Sequence, residues 1–96
     1  MSGVHRNDDL RTCGAKTIVN GQTNVFANSL LISVDGDPNT HGNGNLIASC
    51  NNVFINNKMV VDLGDGAVKD DSCDTQGGSH CSPSADSASP NVFVGD

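Results

Sequence analysis

The stretch from Asn52 to Val61 reads Asn-Val-Phe-Ile-Asn-Asn-Lys-Met-Val-Val, and its opening tripeptide occurs three times in the chain. The other two copies begin at Asn24 and Asn91, so the spacings are 28 and 39 residues. The 96 residues contain three phenylalanines and no Trp or Tyr, and each phenylalanine ends one copy of the tripeptide. An aspartate recurs with the same 28-residue period: Asp9, Asp37 and Asp65. These spacings predict three copies of one unit, the third enlarged by an insertion near residues 66–79.

Each unit has the pattern of a short strand, a turn and a returning strand. In the second copy, Val53-Phe54-Ile55 is followed by the turn signal Asn56-Asn57 and then by Met59-Val60-Val61. Units this short cannot bury an apolar face alone and must pack on one another. We therefore predict a small all-β domain covering residues 1–96, built from three β-hairpin repeats around a pseudo-threefold axis.

The composition excludes several classes of protein. Asn, Asp, Gly and Ser make up 44 of the 96 residues, and these residues favour turns over helices, which argues against a helical bundle. The net charge of −6 opposes phosphate binding, and three aromatic side chains offer little surface on which bases could stack. We therefore expect no nucleic-acid partner. The N-terminal residues contain no apolar signal segment, so synthesis in a cytoplasm is expected, with the four cysteines as metal ligands or free thiols before disulfides.

Candidate metal ligands occupy one equivalent position in the three units. Counting back eleven residues from each Asn of Asn-Val-Phe leads to Cys13, His41 and His80. A threefold repeat would bring these donors to the axis, as three corners of a tetrahedral site. The fourth donor must break the symmetry, and the insertion offers Cys73 and Cys81. Cys73 is preferred because adjacent residues such as His80 and Cys81 rarely both bind one ion.

The predicted site therefore consists of two thiolates and two imidazoles, from Cys13, His41, Cys73 and His80. This set favours zinc, with iron as the second choice. Cys50 is interpreted as a small core residue, and His5 as a residue of the terminal segment with little claim to be a ligand. The repeated aspartates are predicted to be turn residues that accept hydrogen bonds from local backbone. Asp70 and Asp71 are interpreted as a solvated loop.

Enzymatic function is not predicted. The chain has no Gly-x-Ser-x-Gly or His-Glu-x-x-His motif and no glutamate, so no general acid or base stands beside the predicted metal. Four protein ligands would also close the coordination sphere, whereas a metal-dependent hydrolase needs an open position. The alternatives left open are a small metal-dependent hydrolase, a metal-stapled binding module and a disulfide-stapled secreted module.

The units resemble the PAAR-repeat proteins, which form the spike tips of contractile tails and type VI secretion systems. The closest match is the ending Ala88-Ser89-Pro90-Asn91-Val92-Phe93-Val94-Gly95. The segments that take the place of Pro-Ala-Ala-Arg are Gly3-Val4-His5-Arg6, Leu31-Ile32-Ser33-Val34 and Met59-Val60-Val61-Asp62, and none contains that tetrapeptide. The family's usual ligands are three His and one Cys; here His5 lies off the repeat position, which leaves Cys73, Cys81 and His5 as candidates for the fourth ligand.

This resemblance implies a small cone with a metal ion near its apex and a base that caps a trimeric β-helical spike. The chain is most similar to the phage members of the family, which implies a place in the virion, at the tip of the central spike of the tail baseplate. The implied function is structural: one tip per spike trimer, which sharpens the spike and contacts the target-cell membrane transiently as it pierces it during host cell entry.

Overall fold

The fold consists of very short strands joined by turns. The computed structural model describes residues 2–42, 44–49, 53–71, 73, 78 and 80–94. Its strands are β1 (Ser2–Gly3), β2 (Phe26–Ala27), β3 (Leu30–Leu31), β4 (Phe54–Ile55), β5 (Lys58–Met59) and β6 (Phe93–Val94). The described residues form no helix, so the prediction of an all-β protein is confirmed. Accordingly, that part of the chain has no helix long and apolar enough to cross a membrane.

The strands pair into three antiparallel ribbons. In two of them, β2 pairs with β3 and β4 pairs with β5 across the turns Asn28-Ser29 and Asn56-Asn57. All four turn residues have positive φ, between 53° and 68°, as a two-residue turn of type I′ requires. Asparagine tolerates this left-handed conformation because its short polar side chain can bond locally, which is why these turns carry it.

The third ribbon differs from the predicted hairpin because it joins the two ends of the described chain. The third Asn-Val-Phe contributes β6, and its antiparallel partner is β1, with Phe93 opposite Gly3. Phe26 and Phe54 have the equivalent positions opposite Leu31 and Met59 in the other ribbons. The returning strand of the third ribbon therefore comes from the start of the chain, and each structural unit runs from a ribbon towards the next repeated aspartate.

A closed ring of backbone hydrogen bonds joins the three units. The amide of His5 donates to the carbonyl of Val61 at 2.9 Å, Ser33 donates to His5 at 2.9 Å, and Val61 donates to Ser33 at 3.1 Å. These residues are 28 apart in sequence, and all three are fully buried. The 28-residue period thus has a direct structural counterpart, since each unit completes its backbone pairing only with its neighbours.

The apolar core lies beside this ring. The residue preceding each ring member is buried, and these side chains form one cluster with Ala27: Val4, Ile32 and Val60. Half-buried side chains of the ribbons pack against it: Val53, Ile55, Val92 and Val94. A second, smaller cluster contains Leu46, Ala48, Val61 and Ala85. The core is small because so few residues are large and apolar, and buried polar groups fill the remaining interior.

The repeated aspartates close a turn in each unit. A carboxylate oxygen of Asp9 accepts a hydrogen bond from the amide three residues earlier at 2.8 Å. Asp37 and Asp65 make the same bond at 2.8 and 3.0 Å. The prediction that these residues are turn formers bonded to local backbone is therefore confirmed. The residue before each has a φ of 70° to 92°, which explains the glycines at two of these positions, while Asp8 adopts the conformation in the first unit.

The interior contains a polar network around His5 and Arg11. His5 donates from Nδ1 to the carbonyl of Ser87 at 2.7 Å, and its Nε2 lies 2.6 Å from the hydroxyl of Thr17. Arg11 donates to the same hydroxyl at 2.9 Å and to the backbone carbonyls of Asp37, Pro38 and Gly44. Burial lowers the pKa of Arg11 to about 10, and it also lowers the pKa of His5. His5 is therefore a core residue whose two nitrogens are both bonded, and it is unavailable as a metal ligand.

Candidate metal centre

Four side chains from the loops that follow the aspartate turns lie close together in space. Cys13, His41, Asp70 and His80 each place a donor atom within 4.8 Å of the donors of the other three. Three of them are predicted ligands, which the sequence placed at one repeat position. A group of one sulfur, two imidazole nitrogens and one carboxylate oxygen could hold a metal ion.

Tight turns present the three repeat-related residues. The amide after Cys13 donates back to the carbonyl of Arg11 at 2.8 Å, and the amide after His41 donates to Asn39 at 3.4 Å. The residues after Cys13 and His41 are glycines with φ near +85°, a conformation that is strained in residues with a side chain. In the third unit the amide of Cys81 donates to Gly78 at 3.1 Å. The same local turn therefore carries all three residues, which is why an equal offset in sequence becomes proximity in space.

Asp70 lies at the centre of the group. Its side chain is fully buried, and its Oδ2 atom lies 3.2 Å from Nδ1 of His41 and 3.1 Å from Nδ1 of His80. The two imidazole rings have centroids 5.0 Å apart. In a tetrahedral zinc site with bonds of about 2.0 Å, neighbouring donor atoms are roughly 3.3 Å apart. The two separations from Asp70 agree with that spacing, and the group as a whole could hold a metal ion.

Cys73, the predicted fourth ligand, is not in this group. Its sulfur is bonded to that of Cys81 in a disulfide across a sequence separation of 8. A disulfide sulfur has no thiolate to offer a metal, so neither cysteine of the insertion supplies the fourth donor in this structure. The expectation of free thiols or ligands before disulfides is wrong for this pair. The two Cα atoms lie 4.8 Å apart, which is within the range that a disulfide requires.

Asp70 is the residue that the sequence reasoning missed, because Asp70 and Asp71 were interpreted as a solvated loop. Asp70 is instead 3% exposed, and its amide donates to the carbonyl of His80 at 3.0 Å. One signal could have found it. The insertion is the segment that breaks the symmetry, so a fourth donor is expected there. Lys69 is the fourth residue after the third repeated aspartate, and Asp70 is the residue that follows it. A search of the insertion for carboxylate ligands as well as for Cys and His would have included Asp70 among the candidate ligands. The core interpretation of Cys50 lies outside the described residues.

The metal-free group disfavours ionisation of its thiol. Burial raises the pKa of Cys13, and the neighbouring carboxylate of Asp70 raises it further. A divalent cation held by this group would reverse this preference, because it would stabilise the thiolate and the carboxylate together, and its binding would release the thiol proton. A cavity of about 220 Å³ lies beside Asp70 and is lined in part by Gly44 and Lys69.

Comparison with models of known protein families gives no match to this chain. None of the curated proteins is significantly similar to it in sequence.

Proposed function

We propose that this protein is a structural spike tip, which caps the end of a trimeric β-helical spike of a contractile phage tail or a related injection machine. The observation that carries the proposal is the closed hydrogen-bonded ring of His5, Ser33 and Val61. One chain with three equivalent units can meet three identical chains around a common axis, each through an equivalent contact. The stoichiometry is therefore one tip per spike trimer, and the PAAR resemblance of the repeats points to the same arrangement.

The three phenylalanines support a docking face formed by the ribbons. Phe26, Phe54 and Phe93 occupy equivalent ribbon positions and are 56%, 56% and 51% exposed. Their strand neighbours Ala27, Ile55 and Val94 belong to the core or pack against it, so the outward positions are the ones left apolar and uncovered. Among the twelve residues of the six strands, Lys58 alone carries a charge, although the chain has a net charge of −6. Such a surface suits an apolar contact with three equivalent spike chains.

The order of the elements separates this face from the metal group. Along each unit the chain passes from the ribbon to the ring residue, then to the aspartate turn, and then to the loop that carries the candidate ligand. Each candidate ligand is at least ten residues along the chain from the nearest strand of a ribbon, which supports placing the ligands away from the ribbons in the proposal. In the proposal the ribbons form the base on the spike and the metal group lies at the pointed end.

Zinc is the proposed metal, with iron as the second choice, and its role is structural. One thiol, two imidazoles and one carboxylate suit zinc, and four protein donors complete a tetrahedral sphere without an open position. A structural zinc site can supply on the order of 10 kcal/mol of apparent binding free energy, which is large for a domain with so small a core. The metal would join loops from all three units at the end that, in the proposal, pierces the target-cell membrane.

Native mass spectrometry of the protein mixed with the trimeric β-helical spike tests the proposal. We expect one copy of this chain per three spike chains. A complex with three copies per trimer, or no complex at all, would contradict capping and leave a metal-stapled β domain without a spike partner. A metal analysis of the same sample tests the site separately from the docking.

A further inference from the structure

The disulfide between Cys73 and Cys81 lies within the segment that completes the metal group. It links the third residue after Asp70 to the residue directly after His80. We infer that this disulfide is a positioning element of the metal group: when formed it holds Asp70 and His80 in place for a divalent cation, and its reduction weakens cation binding. The inference rests on the metal site of the proposed function and is independent of the spike contact.

One end of the cross-link, Cys73, is hydrogen-bonded through the backbone to Asp70, and the other end, Cys81, directly follows His80 in the chain. The amide of Asp70 donates to the carbonyl of His80 at 3.0 Å, and the amide of Cys73 donates to the carbonyl of Asp70 at 3.1 Å. The carboxylate of Asp70 contacts both His41 and His80. A displacement of the turn from Asp70 to Cys73 would therefore move the one donor that touches both imidazoles.

The other two ligands do not need such a cross-link. Cys13 and His41 follow aspartate turns of the repeat and are each followed by a glycine in the required conformation. Asp70 belongs to the insertion, which has no counterpart in the first two units. Ordering the insertion costs conformational entropy. A cross-link lowers this cost because it restricts the conformations that the segment can adopt before it is ordered. Partners that orient metal ligands typically change metal affinity by 10-fold to 100-fold.

Reduction of the disulfide is an ordinary thiol–disulfide exchange. A thiolate of a dithiol reductant attacks one of the two sulfurs and forms a mixed disulfide, and its second thiol then displaces the protein sulfur. The reductant leaves as a cyclic disulfide that has lost two electrons. Cys73 and Cys81 take up two electrons and two protons and become free thiols. The freed Cys73 is then the soft donor that the sequence predicted as fourth ligand, so the effect on affinity distinguishes the two assignments.

Anaerobic titration of the full chain with Co²⁺ alone tests the inference. The oxidised protein is compared with protein reduced by dithiothreitol and then freed of reductant. We expect the Kd for Co²⁺ to rise about tenfold or more on reduction. The thiolate-to-cobalt charge-transfer band should keep the intensity of one sulfur ligand, Cys13, in both states. The far-UV circular dichroism of the reduced chain should match that of the oxidised chain.

Two variants serve as matched comparisons. The double variant C73S/C81S should bind Co²⁺ as the reduced chain does and should not respond to dithiothreitol. The variant Cys50→Ser removes a cysteine outside the pair and should keep the full response.

Three results would overturn the inference. A reduced chain that binds Co²⁺ equally or more tightly, with a stronger charge-transfer band, would make a freed thiolate the fourth ligand. Four free thiols in the air-oxidised protein, counted by mass after alkylation, would remove the disulfide itself. Absence of Co²⁺ binding in both states would remove the metal site and this inference together, whereas spike capping is measured independently by native mass spectrometry.

Discussion

Asp70 and His80 are joined twice, once through the backbone and once through the side chains. The amide of Asp70 donates to the carbonyl of His80 at 3.0 Å, and Nδ1 of His80 lies 3.1 Å from Oδ2 of Asp70. The first residue comes from the insertion and the second from the repeat position. This pair is therefore the point where the asymmetric part of the chain is attached to the threefold part, and it places a fourth donor beside three related ones.

The variant Asp70→Asn should bind Zn²⁺ at least tenfold more weakly than the wild type, because it removes the anionic donor that lies within 3.2 Å of both imidazoles. Isothermal titration calorimetry with Zn²⁺ measures the change. The variant Asp86→Asn makes the same change of charge at an exposed residue outside the group and should keep the wild-type affinity. Equal losses in the two variants would attribute the effect to net charge and argue against Asp70 as a ligand.

The double variant His41→Ala/His80→Ala should lose about one metal ion per chain, measured by elemental analysis of the purified protein. It should also unfold at a much lower temperature, since the free energy of structural metal binding is folding free energy. Metal removal from the wild type by a chelator should reproduce the thermal shift. A double variant that keeps its full metal content would show that the two histidines do not bind the metal.

The variant Phe54→Asp should abolish spike capping and leave the metal content unchanged, because it places a charge at an apolar position of the proposed docking face. Phe54 is 56% exposed, so its replacement by Asp should cost about 1–2 kcal/mol of unfolding free energy, from the part of the ring that is buried and from the poor strand propensity of Asp, and the fold should be retained. The matched control is Ile47→Asp, at a residue 52% exposed outside the ribbons, which should still cap the spike. If native mass spectrometry shows that the Phe54 variant still caps the spike, Phe54 is not part of the docking face.

Stability should decrease as the pH falls below about 6.5, in part because of His5. Burial lowers the pKa of His5, so the folded chain favours its neutral form, which donates to Ser87 and accepts from Thr17. Between the lowered pKa and the ordinary value of 6.5, the unfolded chain binds more protons, and the contribution of His5 is lost as the pH falls through that window. Above both values the contribution is complete.

Urea unfolding of the metal-free protein at pH 7.5, 6.5 and 5.5 measures this dependence. The variant His5→Gln removes the titrating group, so the stability difference between wild type and variant should shrink towards pH 5.5. A difference that stays constant over this range would mean that His5 does not titrate differently in the folded and unfolded chains.

Several elements could be predicted from the sequence because their signals are local or periodic. The asparagine-containing turns predict the two ribbons whose strands are joined by a tight turn. The repeated aspartates predict the turns that follow the ring residues. The three copies of Asn-Val-Phe placed Cys13, His41 and His80 at one offset, and equivalent local turns bring these residues together. Repetition thus allowed a three-dimensional relationship between distant residues to be inferred by counting.

Other features were decided by the tertiary structure, because they depend on contacts between segments with no shared pattern. The third ribbon pairs Gly3 with Phe93, and no local signal links the two ends of the chain. His5 is buried because its backbone belongs to the ring of hydrogen bonds, and Thr17 and Ser87 satisfy its two nitrogens. The insertion has no second copy against which to be aligned. The choice between Asp70 and Cys73 as the residue that faces the histidines therefore depended on tertiary contacts. The backbone bond from Asp70 to His80 places the carboxylate inside the group, and Cys73 is bonded to Cys81 instead.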